Sequence, residues 1–280
     1  MANILDAINT LVKSRQFNLT DSNIINNRAN SQGTALEIYV KNLFADTFGC
    51  TEAERLEIWS EIFSYIGNTN NPPDFMLKRG DAVEVKKIES NDAALALNSS
   101  YPKRTLKSSS TLISNACRDA EDWSEKDMLY VVGVVTGNNL KHLCMIYGCD
   151  YCASDECYER IRQKIKYGVE TIQGVEFSPT KELGRVNRVD PLGITYLRIR
   201  GMWHIENPWR VFDYVYRRNF QAEFNFVCII DLDKWLTLNN REEFAALQKH
   251  YPALKVIDVK IKNPDNPAKL HDAKLIRYEI

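Results

Sequence analysis

The chain has 280 residues, with 36 Lys and Arg against 37 Asp and Glu and a formal net charge of −1. That length can bury a sizeable core, and 44% apolar with 26% charged residues is the balance of an ordinary soluble globular protein, which excludes a disordered or fibrous chain. A globally basic surface is excluded too, so any nucleic-acid contact must use positive charge gathered on one face. No apolar run reaches the roughly 18 residues of a membrane span. The opening MANILDAINTLVKSRQFNLT lacks the apolar stretch and small-residue cleavage site of a secretory signal. Seven cysteines, an odd number, point to free thiols in a reducing cytoplasm.

Residues 3–14 carry Ile4, Leu5, Ile8, Leu11 and Val12 at helical spacing and predict a short amphipathic helix. After a polar connector, residues 35–48 place Leu36, Val40, Leu43, Phe44 and Phe48 on one helical face, with Ser31 or Thr34 as cap and Glu37 in the first turn. Residues 54–67 read as a helix, or as a helix running into an early strand. Residues 74–89, DFMLKRGDAVEVKKIE, predict a hairpin around a Lys-Arg-Gly-Asp turn. A serine-rich loop then leads into a helix near 111–121, followed by strands at 128–137 and 141–151. A helix is expected over 154–172, and residues 178–222 are irregular, basic and aromatic. The chain closes with a strand at 223–232, a helix at 241–251 and strands at 253–261 and 273–280. No repeat or low-complexity linker divides it, so the expectation is one mixed α/β domain over 1–280, helices on both sides of a sheet.

The hairpin carries the chemistry. Alternate strand residues face opposite sides, so Glu84 and Lys86 share a face while Val85 points to the core. Lys87 falls on the Val85 side, a conflict that a strand end or bulge would relieve. Asp74 precedes Glu84 by ten positions, about one hairpin, and so starts the neighbouring strand beside it. Two adjacent carboxylates repel at neutral pH unless a cation lies between them, and Mg²⁺ takes hard oxygen ligands of this kind. A lysine next to such a site suits phosphodiester hydrolysis by in-line attack of water, leaving a 5′-phosphate. The same residues also fit a solvated strand edge with a cross-strand ion pair.

Pro73-Asp74, nine intervening residues and Glu84-Val85-Lys86 resemble the PD-(D/E)XK nuclease motif, and QGTALEIYVKNLF resembles the first core helix of that fold. NPPDFMLKRGDAVEVKKIES followed by LALNSSYPKRTL is similar, more narrowly, to type II restriction endonucleases of the NgoPII kind, whose site is GGCC. The resemblance implies a restriction-endonuclease-like fold with a mixed central sheet and a catalytic core over about 31–160. It adds Glu37 to Asp74 and Glu84 as a carboxylate for Mg²⁺, with Lys86 completing the catalytic set. It also implies double-stranded DNA as substrate, a homodimer on a palindrome, and a cognate DNA methyltransferase as a functional rather than physical partner.

Two further stretches suit DNA. The loop that follows the hairpin offers Asn98, Ser99, Ser100, Lys103 and Arg104, groups that ordinarily meet phosphates and groove edges, or that simply line a solvated loop. Residues 182–233 contain Arg185, Arg188, Arg198, Arg200, Arg210, Arg217 and Arg218 and no lysine. Arginine grips guanine O6 and N7 bidentately, so this arginine-only stretch fits base reading at a G·C-rich site over about 178–222. Pairing with Glu182, Asp190, Glu206 and Asp213 is the alternative. His204 is a groove contact or a packed histidine. Cys144, Cys149, Cys152 and Cys157 invite thought of zinc or an iron–sulfur cluster, but strand and helix patterns at either end favour separate small thiols. The nuclease reading competes with a structure-specific or repair nuclease on the same core, and with a non-catalytic DNA-binding module.

Overall fold

The structure is a computed structural model that describes residues 1–19, 32–68, 71–90, 92–97 and 100–280. Helix α1 (Ile4–Ser14) starts with a reciprocal cap, in which Asn3 Oδ1 accepts from Leu5 N–H and Asp6 Oδ2 accepts from Asn3 N–H, both at 2.8 Å. Then come α2 (Gln32–Ala45), α3 (Glu52–Ile62), β1 (Phe63–Asn68), β2 (Asn71–Leu77), β3 (Ala82–Ile88), β4 (Leu95–Leu97), β5 (Thr105–Lys107) and α4 (Asn115–Arg118). The middle holds β6 (Glu125–Thr136), β7 (Asn139–Tyr147), α5 (Gly148–Tyr151), α6 (Asp155–Glu170), β8 (Gly184–Val186), β9 (Leu197–Ile199), β10 (Trp203–Ile205) and α7 (Pro208–Val211). The chain ends with β11 (Asn225–Asp231), α8 (Leu232–Thr237), α9 (Arg241–His250), β12 (Leu254–Asn263) and β13 (Asn266–Glu279).

A mixed sheet runs in the order β1-β2-β3-β6-β7-β11-β13-β12, with β5 paired beside the start of β6. The β3–β6 and β7–β11 pairs are parallel and the others antiparallel. Strand alternation divides the core in two. Val83, Val85, Leu129 and Val131 face α1, α2 and α9, whereas Ala82, Ile88, Tyr130 and Val132 face Tyr151, Phe212 and Tyr216. Helix α2 buries Leu36, Tyr39, Val40 and Leu43 completely against the first layer. Its approach depends on Gly133, where a Cβ would lie 2.8 Å from Leu36 Cδ2 and 3.0 Å from Leu140 Cδ1. The expected mixed α/β architecture, a large central sheet flanked by helices, is what the chain forms.

Several local expectations need correction. No long helix forms at 111–121, only the single turn of α4. The Arg118 guanidinium folds back to the carbonyls of Ser108 and Ser110, and Trp123 Nε1 donates to Arg118 O, the carbonyl that a continuing helix would use. Thr34 lies inside α2 rather than capping it, which puts Glu37 in the second turn; Ser31 lies outside the described residues. Phe48 sits beyond the helix end, past a left-handed residue, Asp46 (φ 51°), yet still reaches the core beside Tyr39. Residues 148–151 turn into α5 instead of prolonging β7, and the stretch read as irregular contains β8, β9, β10 and α7.

Candidate active site

Strands β2 and β3 pair only at Met76–Ala82 and Phe75–Val83. Beyond that point the strands separate, and Asp74 spans the gap: its Oδ2 accepts from Val85 N–H at 2.6 Å. The turn itself is tied down by Lys126, whose Nζ donates to the carbonyls of Leu77 (3.1 Å) and Gly80 (2.7 Å). Val83 and Val85 sink into the α2 side of the core, so Glu84 and Lys86 emerge on the opposite face of β3. There Lys86 Nζ lies 2.6 Å from Glu84 Oε1, with the side chains 24% and 12% exposed. Glu84 Oε2 is buried and has no hydrogen-bond partner among the described residues. Lys87 resolves its conflict by reaching sideways to Glu89 at 2.9 Å.

Glu37 and Lys41, one helical turn apart on α2, belong to the same electrostatic field. Burial raises the Glu37 carboxyl above its usual range, opposed by Lys41 and Lys86 and reinforced by Glu84. Burial lowers the Lys41 ammonium, against the pull of Glu37 and Asp74. The Asp74 carboxyl is pushed up to about 8, first by burial and then by Glu84, with Lys86 and the Val85 N–H working the other way. Lys86 shows the opposite balance: burial alone would lower it, but Glu84, Asp74 and Glu37 together hold it above its usual value. Three carboxylates therefore face two ammoniums, with one buried carboxylate oxygen unsatisfied. This is a donor set of hard oxygens with a deficit of positive charge, and it fits a divalent cation.

Lys41 was not legible as a site residue. Its i,i+4 spacing from Glu37 was the available signal, but it reads equally as a surface ion pair. It is instead buried, with its Nζ 5.6 Å from the Trp59 ring centroid and 6.0 Å from that of Phe75.

The other expected residues are dispersed. Asn98 and Ser99 lie outside the described residues, and Ser100 is half-buried. Lys103 is buried with its ammonium 4.5 Å from the Tyr101 ring centroid, and burial lowers its pKa. Arg104 pairs with Asp265 at 2.6 Å. The arginines mostly have partners: Arg198 and Arg200 share Glu182, Arg210 meets Glu206 at 3.1 Å, and Arg188 approaches Glu176 at 3.8 Å. Arg185 covers the Tyr196 ring, and Arg218 covers Trp209 and Phe220. Of the alternative pairings, Glu182 and Glu206 take arginines, whereas Asp190 accepts backbone N–H groups of its own loop. His204 is exposed on β10, directly opposite Ala96 of β4. This two-stranded ribbon is held from behind by buried Leu95 and Leu97 and by Trp203, which meets Tyr101 and Tyr158 edge-on.

The four cysteines do not converge on one another: Cys144 and Cys152 are buried, Cys149 is half-buried and Cys157 is exposed, all as free thiols. Among the described residues, Cys149 and Asp150 of α5 and Asp231 at the end of β11 bring metal-type donor atoms within 4.8 Å of one another, a group that does not include Asp74 or Glu84.

Among the described residues no helix is long and apolar enough to cross a membrane. No solved structure matches the chain. The sequence matches the NgoPII restriction endonuclease family over residues 2–262. It is 54% identical over 279 residues to the type II restriction enzyme NgoPII of Neisseria gonorrhoeae, covering 99% of this chain and 100% of that protein. With a match across nearly its whole length, the chain belongs to the NgoPII restriction endonuclease family, and with it to the site-specific deoxyribonucleases.

Proposed function

We propose that this chain is a Mg²⁺-dependent type II restriction endonuclease of the PD-(D/E)XK architecture, and that it hydrolyses both strands of DNA at a short palindromic G/C-rich site. GGCC is the site that the resemblance favours. The observation that carries the reading is the crowding of Asp74, Glu84 and Glu37 around Lys86, with Glu84 Oε2 buried and unsatisfied. Asp74, Glu84 and Glu37 would hold the cation. When bound, Mg²⁺ supplies Lewis acidity toward the phosphoryl oxygen and acidifies the attacking water.

The protein's own groups do the rest. Asp74 serves as a carboxylate that gives up its proton when the site is loaded, with Oδ2 anchored by Val85 N–H and the other oxygen left for the cation. Lys86 spends the free state on Glu84. Once Glu84 is engaged elsewhere, the ammonium is free to face the scissile phosphate and stabilise charge developing there. Water attacks in line, the bond from phosphorus to the 3′ oxygen breaks, and a 5′-phosphate and a 3′-hydroxyl remain. The carboxylates of Glu84, Asp74 and Glu37 outweigh the burial of Lys86 and favour its charged form.

Sequence reading needs groups free to meet base edges. The β4–β10 ribbon supports that role: its β4 strand follows β3 closely in the chain, it is fixed from behind, and it presents His204 across from Ala96. A two-stranded ribbon fits the major groove, and imidazole can both donate and accept there. Two strands cut at one palindrome require two catalytic hairpins, hence a homodimer whose two-fold axis matches that of the DNA. A methyltransferase modifying the same site would protect the host chromosome in the cytoplasm. Plasmid digestion in Mg²⁺ with sequencing of the ends tests the reading. Discrete fragments with 5′-phosphates at GGCC are expected; a smear, or no cleavage, overturns it.

A further inference from the structure

The hairpin of β8 and β9 gathers more positive charge than its surroundings neutralise. Arg185 and Arg198 stand directly opposite each other in its register, so both side chains leave the same face. Like charges in that position weaken a strand pair. Arg200, two residues after Arg198, projects the same way. Glu182 is the carboxylate that meets them. Its Oε2 accepts from Arg198 Nε at 3.0 Å, and its Oε1 from Arg198 Nη2 at 2.6 Å and from Arg200 Nε at 2.5 Å. Arg185 lies instead over the Tyr196 ring, 4.7 Å from its centroid. The two paired arginine side chains remain 50% and 64% exposed, whereas Glu182 is 19% exposed. Glu182 thus fills, from the protein side, the place where two converging guanidiniums would grip an oxyanion arriving from solvent.

We propose that Arg185, Arg198 and Arg200 form a clamp for a DNA backbone phosphate, and that Glu182 is its internal competitor, a specificity-determining residue that holds off DNA lacking the site. This deepens the nuclease reading above and rests on it. Exposed ion pairs are weak, so Glu182 does not lock the arginines. A phosphate brings charge-assisted hydrogen bonds and releases condensed counterions, and it displaces the carboxylate when other contacts already hold the duplex in register. DNA without those contacts meets the same competition uncompensated.

The test uses the full chain, Ca²⁺ in place of Mg²⁺, and short duplexes with and without GGCC over a range of KCl. Glu182→Gln should bind the site-free duplex roughly two- to fivefold tighter, with a smaller preference for the GGCC duplex. Its salt dependence should steepen by about one counterion. Arg200→Gln should flatten the salt slope of the GGCC duplex by about 0.9 and narrow the gap between the two affinities, because the clamp closes only on DNA held in register. The proposal is overturned if Glu182→Gln binds site-free DNA no tighter than wild type, or if Arg200→Gln leaves the slope intact. Should Glu182→Gln lose its circular-dichroism signature of folding, the Arg200→Gln slope decides alone. Plasmid cleavage by the wild-type chain in Mg²⁺ separates the two readings, because it reports the nuclease whatever the clamp does.

Discussion

Asp74 Oδ2 accepts a 2.6 Å hydrogen bond from the backbone N–H of Val85, the residue between Glu84 and Lys86. That bond locks the middle of β2 to the stretch of β3 that carries Glu84 and Lys86, where the regular ladder between the two strands has ended. It gives one carboxylate oxygen a structural task and leaves the other for chemistry.

Replacing Asp74 or Glu84 by Ala should abolish cleavage in Mg²⁺, because a site with few carboxylates cannot hold the cation after losing one. Binding of the GGCC duplex in Ca²⁺ should persist for Glu84→Ala. Near-wild-type fragment patterns from either variant would place the active site elsewhere.

The raised Asp74 carboxyl gives a pH dependence with a definite sign. Between its ordinary value of 3.8 and about 8, the folded chain keeps a proton that the unfolded chain has lost. The metal-free protein should therefore lose stability as pH rises through that window, by up to about 1.4 kcal/mol per pH unit. Asp74→Asn should flatten this slope, and Mg²⁺ should stabilise the wild type more at pH 8 than at pH 5. Thermal melts in EDTA and in MgCl₂ provide the measurement. Equal slopes for wild type and Asp74→Asn would mean that Asp74 is ionised throughout.

Lys86→Ala should slow the chemical step on the order of 10²-fold or more while changing DNA affinity little, since its charge acts on the transition state. Lys86→Arg should rescue poorly, because the broader guanidinium fills the space of the attacking water. Single-turnover cleavage at saturating enzyme distinguishes this from a phosphate contact, for which the rate would hold and affinity would drop.

His204→Ala should reduce discrimination between GGCC and singly substituted sites by about 1–3 kcal/mol without altering the salt slope. Binding isotherms in Ca²⁺ against each substituted duplex check it. A uniform loss across all duplexes would assign His204 to the backbone rather than to a base.

Gly133→Ala tests the support of the site rather than its chemistry. The added methyl meets Leu36, one residue from Glu37 on α2, and should cost about 1–3 kcal/mol of stability as overpacking. Urea denaturation would show it, and an unchanged midpoint would mean that α2 yields freely.

Local chemistry made the hairpin readable. Period-two alternation and a Gly-bearing turn determine that Glu84 and Lys86 share a face and that Asp74 lies on the adjacent strand, and these require no knowledge of the rest of the chain. The same holds for the run from α3 into β1 and for the paired strands β6 and β7, where apolar period and turn residues agree. That β2 begins earlier, at Asn71, so that Asp74 sits mid-strand rather than at its start, comes from its pairing with β1. The helix expected at 111–121 failed because Arg118 bonds the carbonyls of the preceding loop and Trp123 takes the Arg118 carbonyl, contacts that helical periodicity does not register.

Partnership among charges was also beyond the reach of pattern. Seven arginines in one stretch were visible as a basic segment, but that Glu182 holds two of them, that Arg104 meets Asp265 across 161 positions, and that Lys41 is buried against Trp59 follow only from how the chain folds back on itself. The sequence by itself determined that Asp74, Glu84 and Lys86, the proposed reactive set, come together, because strand geometry over a few residues suffices to align them. The tertiary structure decided the proton affinity of Asp74 and Lys86, because burial and the approach of α2 depend on Gly133 and on side chains from distant segments, and desolvation is a property of the packed surroundings rather than of any one residue.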